Sequence, residues 1–499
     1  MIKTALHYHD STSYDRNSLN GHHLDWQNQP KLYKEYKNLN SIILPDYKSF
    51  QNIPLKAVLN MDAGNTHTDR IDINTLSTIL RLTYTITAKV GYSRREYYYR
   101  SSASAGALYP VEIYTMIRDA EGIEDGMYHF NIMEHSLTRL RRGDFSDHTG
   151  SIIVPKSKTR PVISFILSSI FFRSSWKYRG RAYRYHLLDT GHVLENLVLA
   201  LKTLSFSFEV GYDFDDKRLD QLIGVDEFRE VALAIINIPG KDNMPDKTAP
   251  YVNPLLEEIE KASIMSGNDI DYPEIREIHE AGRIFHHVEI PEKTLPATPF
   301  PSQNWQNIEP ADEIQKGISY PECLFMRRSR RNFIDKTITK QDFNSILDII
   351  SGSPDRNSTE DVSPRSLKTA FFAEKVDGID PGLYYLDRPE RKFGLIKQGV
   401  FGEKTAHICL NQEWLKNACL HFLMVCELDS LDKIYGPRGY RYAMINAGRI
   451  GQRLYIMATS LGLGCCGIGA FYDQEAAELL SLDKYSRLLY LVAAGKVKQ

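Results

Sequence analysis

Apolar positions follow two rhythms along this chain, and most of the elements they predict are written twice. Between residues 71 and 85 they fall at Ile73, Leu76, Ile79, Leu80 and Tyr84, the spacing of one helical face. That face returns at Ile338, Phe343, Ile346 and Leu347, where Thr339 and Asp342 are placed like a capping box. The run from Val111 to Ile117 reads as a strand, and so does 231–238. A turn written Gly122-Ile-Glu-Asp-Gly-Met-Tyr128 feeds a strand, and Gly378-Ile-Asp-Pro-Gly-Leu-Tyr384 matches it.

The longest repeated text begins at Lys177-Tyr-Arg-Gly-Arg-Ala-Tyr-Arg-Tyr185. It runs on as an apolar helix through Gly191, Val198 and Leu204 to Phe214 and Asp216. From Tyr435 the chain reads Tyr-Gly-Pro-Arg-Gly-Tyr-Arg-Tyr442, then Gly448, Tyr455, Leu461, Phe471 and Asp473. Five landmarks keep one offset (438 − 181, 440 − 183, 448 − 191, 471 − 214 and 473 − 216 are all 257). A constant spacing across a helix and its exit loop predicts two copies of one domain, at a period far too long for a solenoid. Between the first helix and the Gly-bounded turn the second copy is about ten residues shorter (338 − 71 is 267; 378 − 122 is 256).

This divides the chain into an N-terminal extended arm (1–55), a first domain (56–240), a connector (241–319) and a second domain (320–499). The arm shows no sustained period and carries Leu24-Asp25-Trp26 and the Gln29-Pro30 break. The connector is Pro-rich between Pro291 and Pro310 and has a helical pattern over 255–265. A connector of that length is expected to wrap the body. The expected fold class is α+β.

Composition narrows the chemistry. With 499 residues, 42% of them hydrophobic and 25% charged, there is room for two or three globular domains. A formal net charge of −2 gives no reason to expect nucleic acid or an anionic membrane, leaving small-molecule or peptide chemistry. The first residues lack a signal-peptide apolar core, and the longest apolar run, 162–172, is too short to span a bilayer, so a cytoplasmic protein is expected. All six cysteines lie in the second half without a paired C-x-x-C spacing. They read as reduced core residues, and no metal site is expected.

Three stretches carry candidate chemistry. Arg327-Arg-Ser-Arg-Arg331 clusters guanidiniums around a hydroxyl, which suits a phosphate. Alone it reads equally as a solvated basic loop, but the same place in the first copy, Asn60 to Thr66, holds no base at all. Arg100-Ser-Ser-Ala-Ser-Ala-Gly-Ala-Leu-Tyr-Pro110 is a small-residue turn whose backbone can approach a ligand closely. Its counterpart near Asn357 to Ser366 holds Glu360 and Asp361 and no Gly. Gly462-Leu-Gly464-Cys-Cys-Gly467 matches the dinucleotide fingerprint, but a long helix precedes it where a strand is required. Gly462 and Gly464 therefore read as a helix stop leading into a flexible segment, Gly467 to Phe471.

Together these motifs resemble the FMN-dependent nitroreductase superfamily. His7-Tyr-His9, Leu24-Asp25-Trp26, Ser102-Ala-Ser-Ala-Gly-Ala-Leu-Tyr-Pro110 and Lys177-Tyr178 resemble its SagB-type dehydrogenases, which are similar to the oxidases that turn peptide thiazolines and oxazolines into azoles. The resemblance covers both halves but not the connector. It implies two nitroreductase-like domains forming a pseudo-dimer within one chain, with FMN between them and further oligomerisation left open. By resemblance, Arg327, Arg328, Ser329 and Arg331, with Lys496 or Lys498, hold the ribityl phosphate. Ser102, Ala103, Ser104 and Gly106 flank the ring, and Gly469 and Ala470 present N–H groups to its N4–N5 edge.

Azoline oxidation also needs a base. Lys177 with Tyr178 is the candidate pair, Lys177 being lowered in pKa by burial and by Arg173, Arg179 and Arg181. A structural Lys-Tyr pair at a helix entrance is the alternative. The second copy has Ile434-Tyr435 there, and Arg449 stands where the first has His192, which reads as packing. The expected activity is FMN-dependent dehydrogenation of an azoline-bearing peptide. An NAD(P)H-dependent nitro or quinone reductase and a non-catalytic flavin- or peptide-binding scaffold are the alternatives.

Overall fold

The computed structural model describes all residues except 20, 22, 38, 47–53, 61–70, 93–94, 248, 256, 284–299, 311–317, 352–366 and 499. Two seven-stranded sheets of the same topology dominate it. The first runs Ser41–Ile43, Ser136–Arg142, Gly126–Asn131, Val111–Ile117, Thr159–Ile170, Glu230–Asn243 and Glu209–Gly211. The second runs Gln303–Asn307, Lys392–Gln398, Gly382–Asp387, Lys368–Ala373, Leu420–Glu427, Ser486–Gly495 and Gly464–Ile468. Neighbouring strands are antiparallel in both. The turns at Gly122 and Gly378 take φ values of +84° and +73°, which glycine alone adopts without strain.

The repeat is larger than the sequence pattern showed. The arm contributes a helix, Ala5–Ser11, and the outer strand Ser41–Ile43. The connector contributes a corresponding helix, Pro273–Ala281, and the outer strand Gln303–Asn307. The arm is therefore not extended throughout: Thr4 caps its helix by accepting from the His7 N–H, and Tyr8 is fully buried. The helical pattern at 255–265 forms only a short piece, Glu257–Glu260, followed by a 3-10 turn. The periodic helix of the first copy is Ile73–Thr83, capped by Asp72 on the Thr75 N–H at 2.8 Å; that of the second is Lys340–Ser351, with Thr339 accepting from the Asp342 N–H at 3.0 Å.

Two 22-residue helices, Ala182–Thr203 and Gly439–Ser460, cross at the centre of the molecule. A Cβ on Gly191 would stand 2.1 Å from the Ile445 carbonyl oxygen, and one on Gly448 would stand 2.2 Å from that of Leu188. Two backbones can touch here only because both residues are glycine. The first helix is buried on every face, so its polar residues need partners inside the protein.

Those partners come reciprocally from the other half, as in an isologous dimer interface. Arg181 and Arg184 both donate to the Asp473 carboxylate at 2.7 Å, while Arg438 and Arg441 both donate to Asp216. The helices of the arm and connector complete each cluster: His9 is 3.1 Å from the Tyr440 hydroxyl, and His279 is 3.2 Å from that of Tyr183. Burial alone would raise the Asp473 carboxyl, but Arg181 and Arg184 outweigh it and hold the group well below its ordinary range. The Arg and Asp landmarks that share the 257-residue offset are thus the two ends of one ion pair, made twice across a pseudo-twofold axis. All six cysteines are buried and unbridged. No helix among the described residues is long and apolar enough to cross a membrane.

Candidate active site

The two halves meet around a cavity of about 350 Å³ to which both contribute. The first half supplies Ala103 to Gly106, Tyr178, Tyr185 and Asp189; the second supplies Ser329, Arg331, Tyr455 and the segment Cys466 to Ala470.

The small-residue turn is held under strain. Gly106, Ala107 and Tyr109 all have positive φ, of 65°, 55° and 49°, and two of these are not glycine. Ser104 pins both ends, its hydroxyl donating to Asp189 Oδ2 at 2.5 Å while accepting the Tyr109 N–H at 2.9 Å. A Cβ on Gly106 would lie 2.7 Å from the Tyr178 hydroxyl and 3.3 Å from Lys177 Nζ, so the bare glycine lets this pair reach the turn.

Lys177 and Tyr178 end the short helix Phe171–Tyr178, which follows directly from the strand Thr159–Ile170. Arg179, at φ 50°, stops that helix, its N–H donating to the Ser175 carbonyl. The Leu24-Asp25-Trp26 segment of the arm packs behind: Trp26 meets Trp176 edge-on at 5.3 Å, and Trp176 Nε1 donates to the Asp25 carbonyl. Burial lowers the Lys177 pKa, and Arg331 from the other half lowers it further. The expected neighbours are not the cause, since Arg173 faces Glu112 and Arg181 faces Asp473. Burial raises the Tyr178 phenol far above its usual range, so Tyr178 remains a hydrogen-bond donor at all ordinary pH.

On the facing wall, the Tyr455 hydroxyl is 2.9 Å from Ser329 Oγ and accepts the Gly467 N–H at 2.7 Å. Gly469 offers its carbonyl to Arg181 and Tyr185, and neither the Gly469 nor the Ala470 N–H has a protein acceptor among the described residues. The segment ahead of them is ordered as an edge strand, Gly464–Ile468. Gly464 is the first residue of that strand, while Gly462, at φ 68°, is the helix stop. Gly467 leaves room for the Tyr490 hydroxyl, to which His192 also bonds at 3.0 Å.

The other expected residues are dispersed. Arg327 is buried behind the turn, donating to the Ser101 and Arg100 carbonyls. Arg328 turns away to Thr87. Ser102 is buried and does not line the cavity. Lys496 lies 3.7 Å from Asp342, and Lys498 is exposed. Arg327, Arg328, Arg330 and Arg331 have no carboxylate partner among the described residues, and Arg327 Nη1 is buried without an acceptor. A concentration of guanidiniums without counter-charge suits an anion. His192 lines the cavity with its second nitrogen on Gln452, and burial holds it neutral, lowered to about 4.

Asp189, Tyr455, Tyr490 and the Leu410 to Gln412 loop are site residues that sequence reasoning missed. A signal was present for two of them, because the 257-residue offset sets Asp189 against Asn446 and Tyr455 against Val198 (446 − 189; 455 − 198). The same offset shows that protein side chains fill the mirror position. Tyr212 stands for Gly469, Asp213 for Ala470 and Arg449 for His192 (469 − 212; 470 − 213; 449 − 192). Arg449 donates to Glu195 at 2.7 Å and to the Tyr212 hydroxyl at 2.8 Å, and Tyr442 donates to Asp213. Residues 61–66 and 357–366, named above as the other parts of that mirror site, lie outside the described residues.

Comparison with known proteins gives this geometry a family. The sequence profile of the Nitroreductase family matches residues 67–241 and 324–496. A protein of Methanocaldococcus jannaschii named as a nitroreductase is 29% identical over 176 residues, 34% of this chain and 89% of that one. The trifolitoxin-processing protein TfxB of Rhizobium leguminosarum bv. trifolii is 30% identical over 161 residues, 31% of this chain. The match spans only 43% of TfxB. The crystal structure of a protein described as a nitroreductase from Anabaena variabilis shares the fold over 100% of both chains, with a TM-score of 0.79 at 24% identity. With two profile matches in tandem that together span more than half of its length, the protein belongs to the Nitroreductase family of oxidoreductases and resembles its SagB-type members.

Proposed function

We propose that this chain is an FMN-dependent dehydrogenase of SagB type that oxidises an azoline ring in a peptide to the azole, using one FMN held between its halves. One observation carries the reading. The Ser104 to Gly106 turn of the first half faces Ser329 and Arg331 of the second across one cavity, with Lys177 Nζ and the Tyr178 hydroxyl at the turn. The residues present suit FMN. Arg331 and Ser329 would hold the phosphate, the turn would lie against the ring, and the Gly469 and Ala470 N–H groups would face its polar edge. When bound, FMN supplies the two-electron acceptor that takes the hydride.

The rest is the work of this chain. Aromatisation removes a proton and a hydride from adjacent carbons, so a neutral amine must stand ready for the proton. Burial and the Arg331 charge favour neutral Lys177. Tyr178, locked as a phenol and with its ring tilted against that of Tyr185 at 4.5 Å, donates a hydrogen bond that orients the azoline. The name of TfxB, a toxin-processing protein, supports a peptide substrate.

The test is anaerobic mixing of purified protein with a thiazoline-bearing peptide and, separately, with NADPH. The peptide alone is expected to bleach the flavin absorbance. Bleaching by NADPH and not by the peptide would make the chain a nitro or quinone reductase, and no bleaching by either would make it a flavin-binding scaffold.

A further inference from the structure

Asp189 is a carboxyl at the heart of the site to which the proposed chemistry gives no role. It sits on the central helix Ala182–Thr203, is 4% exposed and lines the cavity. Both its oxygens point at the strained turn, accepting the Ser104 hydroxyl at 2.5 Å and the Ala105 N–H at 3.3 Å. No cation lies within ion-pairing distance of it among the described residues. The other half carries Asn446 in its place, so the same helix forms without this charge. A buried carboxyl on the wall of this cavity, with no counter-ion among the described residues, is better explained by what its charge does than by packing.

We propose that Asp189 is the positioning residue of this site: it clamps the Ser104 to Tyr109 turn against the bound ring and couples its own charge to the electron affinity of that ring. This rests on FMN being the occupant. The clamp acts on the base as well, because Gly106 of the same turn meets Tyr178 and Lys177.

The coupling follows from Coulomb's law in a poorly screened cavity. A ring that gains electrons beside an ionised carboxylate is disfavoured, and protonating the carboxylate relieves the repulsion. The titratable groups facing Asp189 are phenols: Tyr109 on the turn, Tyr178 on the short helix and Tyr490 on the second sheet. On its own helix the neutral His192 stands one turn on, and Arg327 lies behind Tyr109. Burial raises Asp189 most, the Ser104 and Ala105 hydrogen bonds oppose that, and the group settles at about 7. It can therefore gain a proton when the ring gains electrons at ordinary pH.

The experiment is an anaerobic redox titration of the FMN-loaded protein from pH 5.5 to 8.5, for wild type, Asp189→Asn and Ser104→Ala. Above about pH 7 the wild-type midpoint should fall more steeply than that of Asp189→Asn. The difference should be one proton per two electrons, a tenfold change in equilibrium constant per pH unit, or about 30 mV. Ser104→Ala keeps the carboxyl but removes a donor to its ionised form, so the break should move to higher pH. If Asp189→Asn does not load FMN, the displaced break in Ser104→Ala decides alone. Parallel plots for wild type and Asp189→Asn, or an unmoved break in Ser104→Ala, would overturn the role of Asp189. A wild-type chain that takes up no flavin would instead overturn the reading beneath it, and this inference with it.

Discussion

Replacing Lys177 with Ala separates a base from a structural lysine. The side chain is half-buried and Tyr178 keeps its own contacts with Tyr185, so the substitution removes an amine from the turn and leaves its partner in place. Tyr178 cannot substitute as a base, because burial pushes its phenol up rather than down. The loss should then be that of a general base, about 100-fold or more in the rate of substrate-driven flavin bleaching. FMN occupancy should be unchanged, since Lys177 stands at the turn and is not among the groups proposed to hold the phosphate or the ring. Stopped-flow absorbance measures the rate, and the flavin released on denaturation measures occupancy. Arg331→Gln adds a check with a definite sign. Arg331 helps to lower the Lys177 pKa, so its removal should raise that pKa and shift the acidic limb of the pH–rate profile upward at saturating FMN. An unchanged bleaching rate in Lys177→Ala refutes the base, and loss of flavin without loss of rate per flavin assigns the lysine to structure.

Further outcomes follow from the interface. Asp473→Asn leaves Arg181 and Arg184 facing each other in the interior, and breaking a buried pair in this way costs about 3–5 kcal/mol, read as a lower Cm in urea. Gly191→Ala drives a methyl into the Ile445 carbonyl and should destabilise by about 1–3 kcal/mol, whereas Gly267→Ala, with open space around it, should not. Stability should also fall as pH drops from 6.5 towards 4. Among the described residues, seven histidines are held neutral with lowered pKa values, including His9 at about 3 and His192 at about 4. Their contribution is full above 6.5 and is lost as the unfolded chain takes up protons. Four carboxyls among the described residues with raised pKa values, Asp189, Asp220, Glu374 and Asp432, act in the opposite sense and are outnumbered there. A Tm equal at pH 7 and pH 5 would contradict this.

What was legible in the sequence is what periodicity and repetition can carry. The crossing glycines and the Arg and Asp landmarks kept their spacing and proved to be interface features, and the small-residue turn, legible by composition in one copy, proved to line the cavity. The helix Pro273–Ala281 was invisible because one turn of buried residues, Ile275, Ile278 and His279, is too little to set a period. Arg328 was over-read, because a run of guanidiniums does not say which of them turns away, here to Thr87. Asp189 was missed for the opposite reason: as one of several polar residues along the central helix it does not stand out until the fold sets it against Ser104.

The most direct test is flavin stoichiometry. Arg331, the cation on the cavity wall that suits a phosphate, belongs to the second half, the turn that suits a ring belongs to the first, and Tyr212, Asp213 and Arg449 fill the mirror position. Charge-assisted bonds to a phosphate are worth about 1.5–3 kcal/mol each, so losing Arg331 should weaken binding by roughly ten- to a hundredfold or more. Flavin extracted from protein of known concentration should amount to one FMN per chain in wild type and almost none in Arg331→Ala after gel filtration. Two FMN per chain, or wild-type retention by Arg331→Ala, would contradict a single pocket built by both halves.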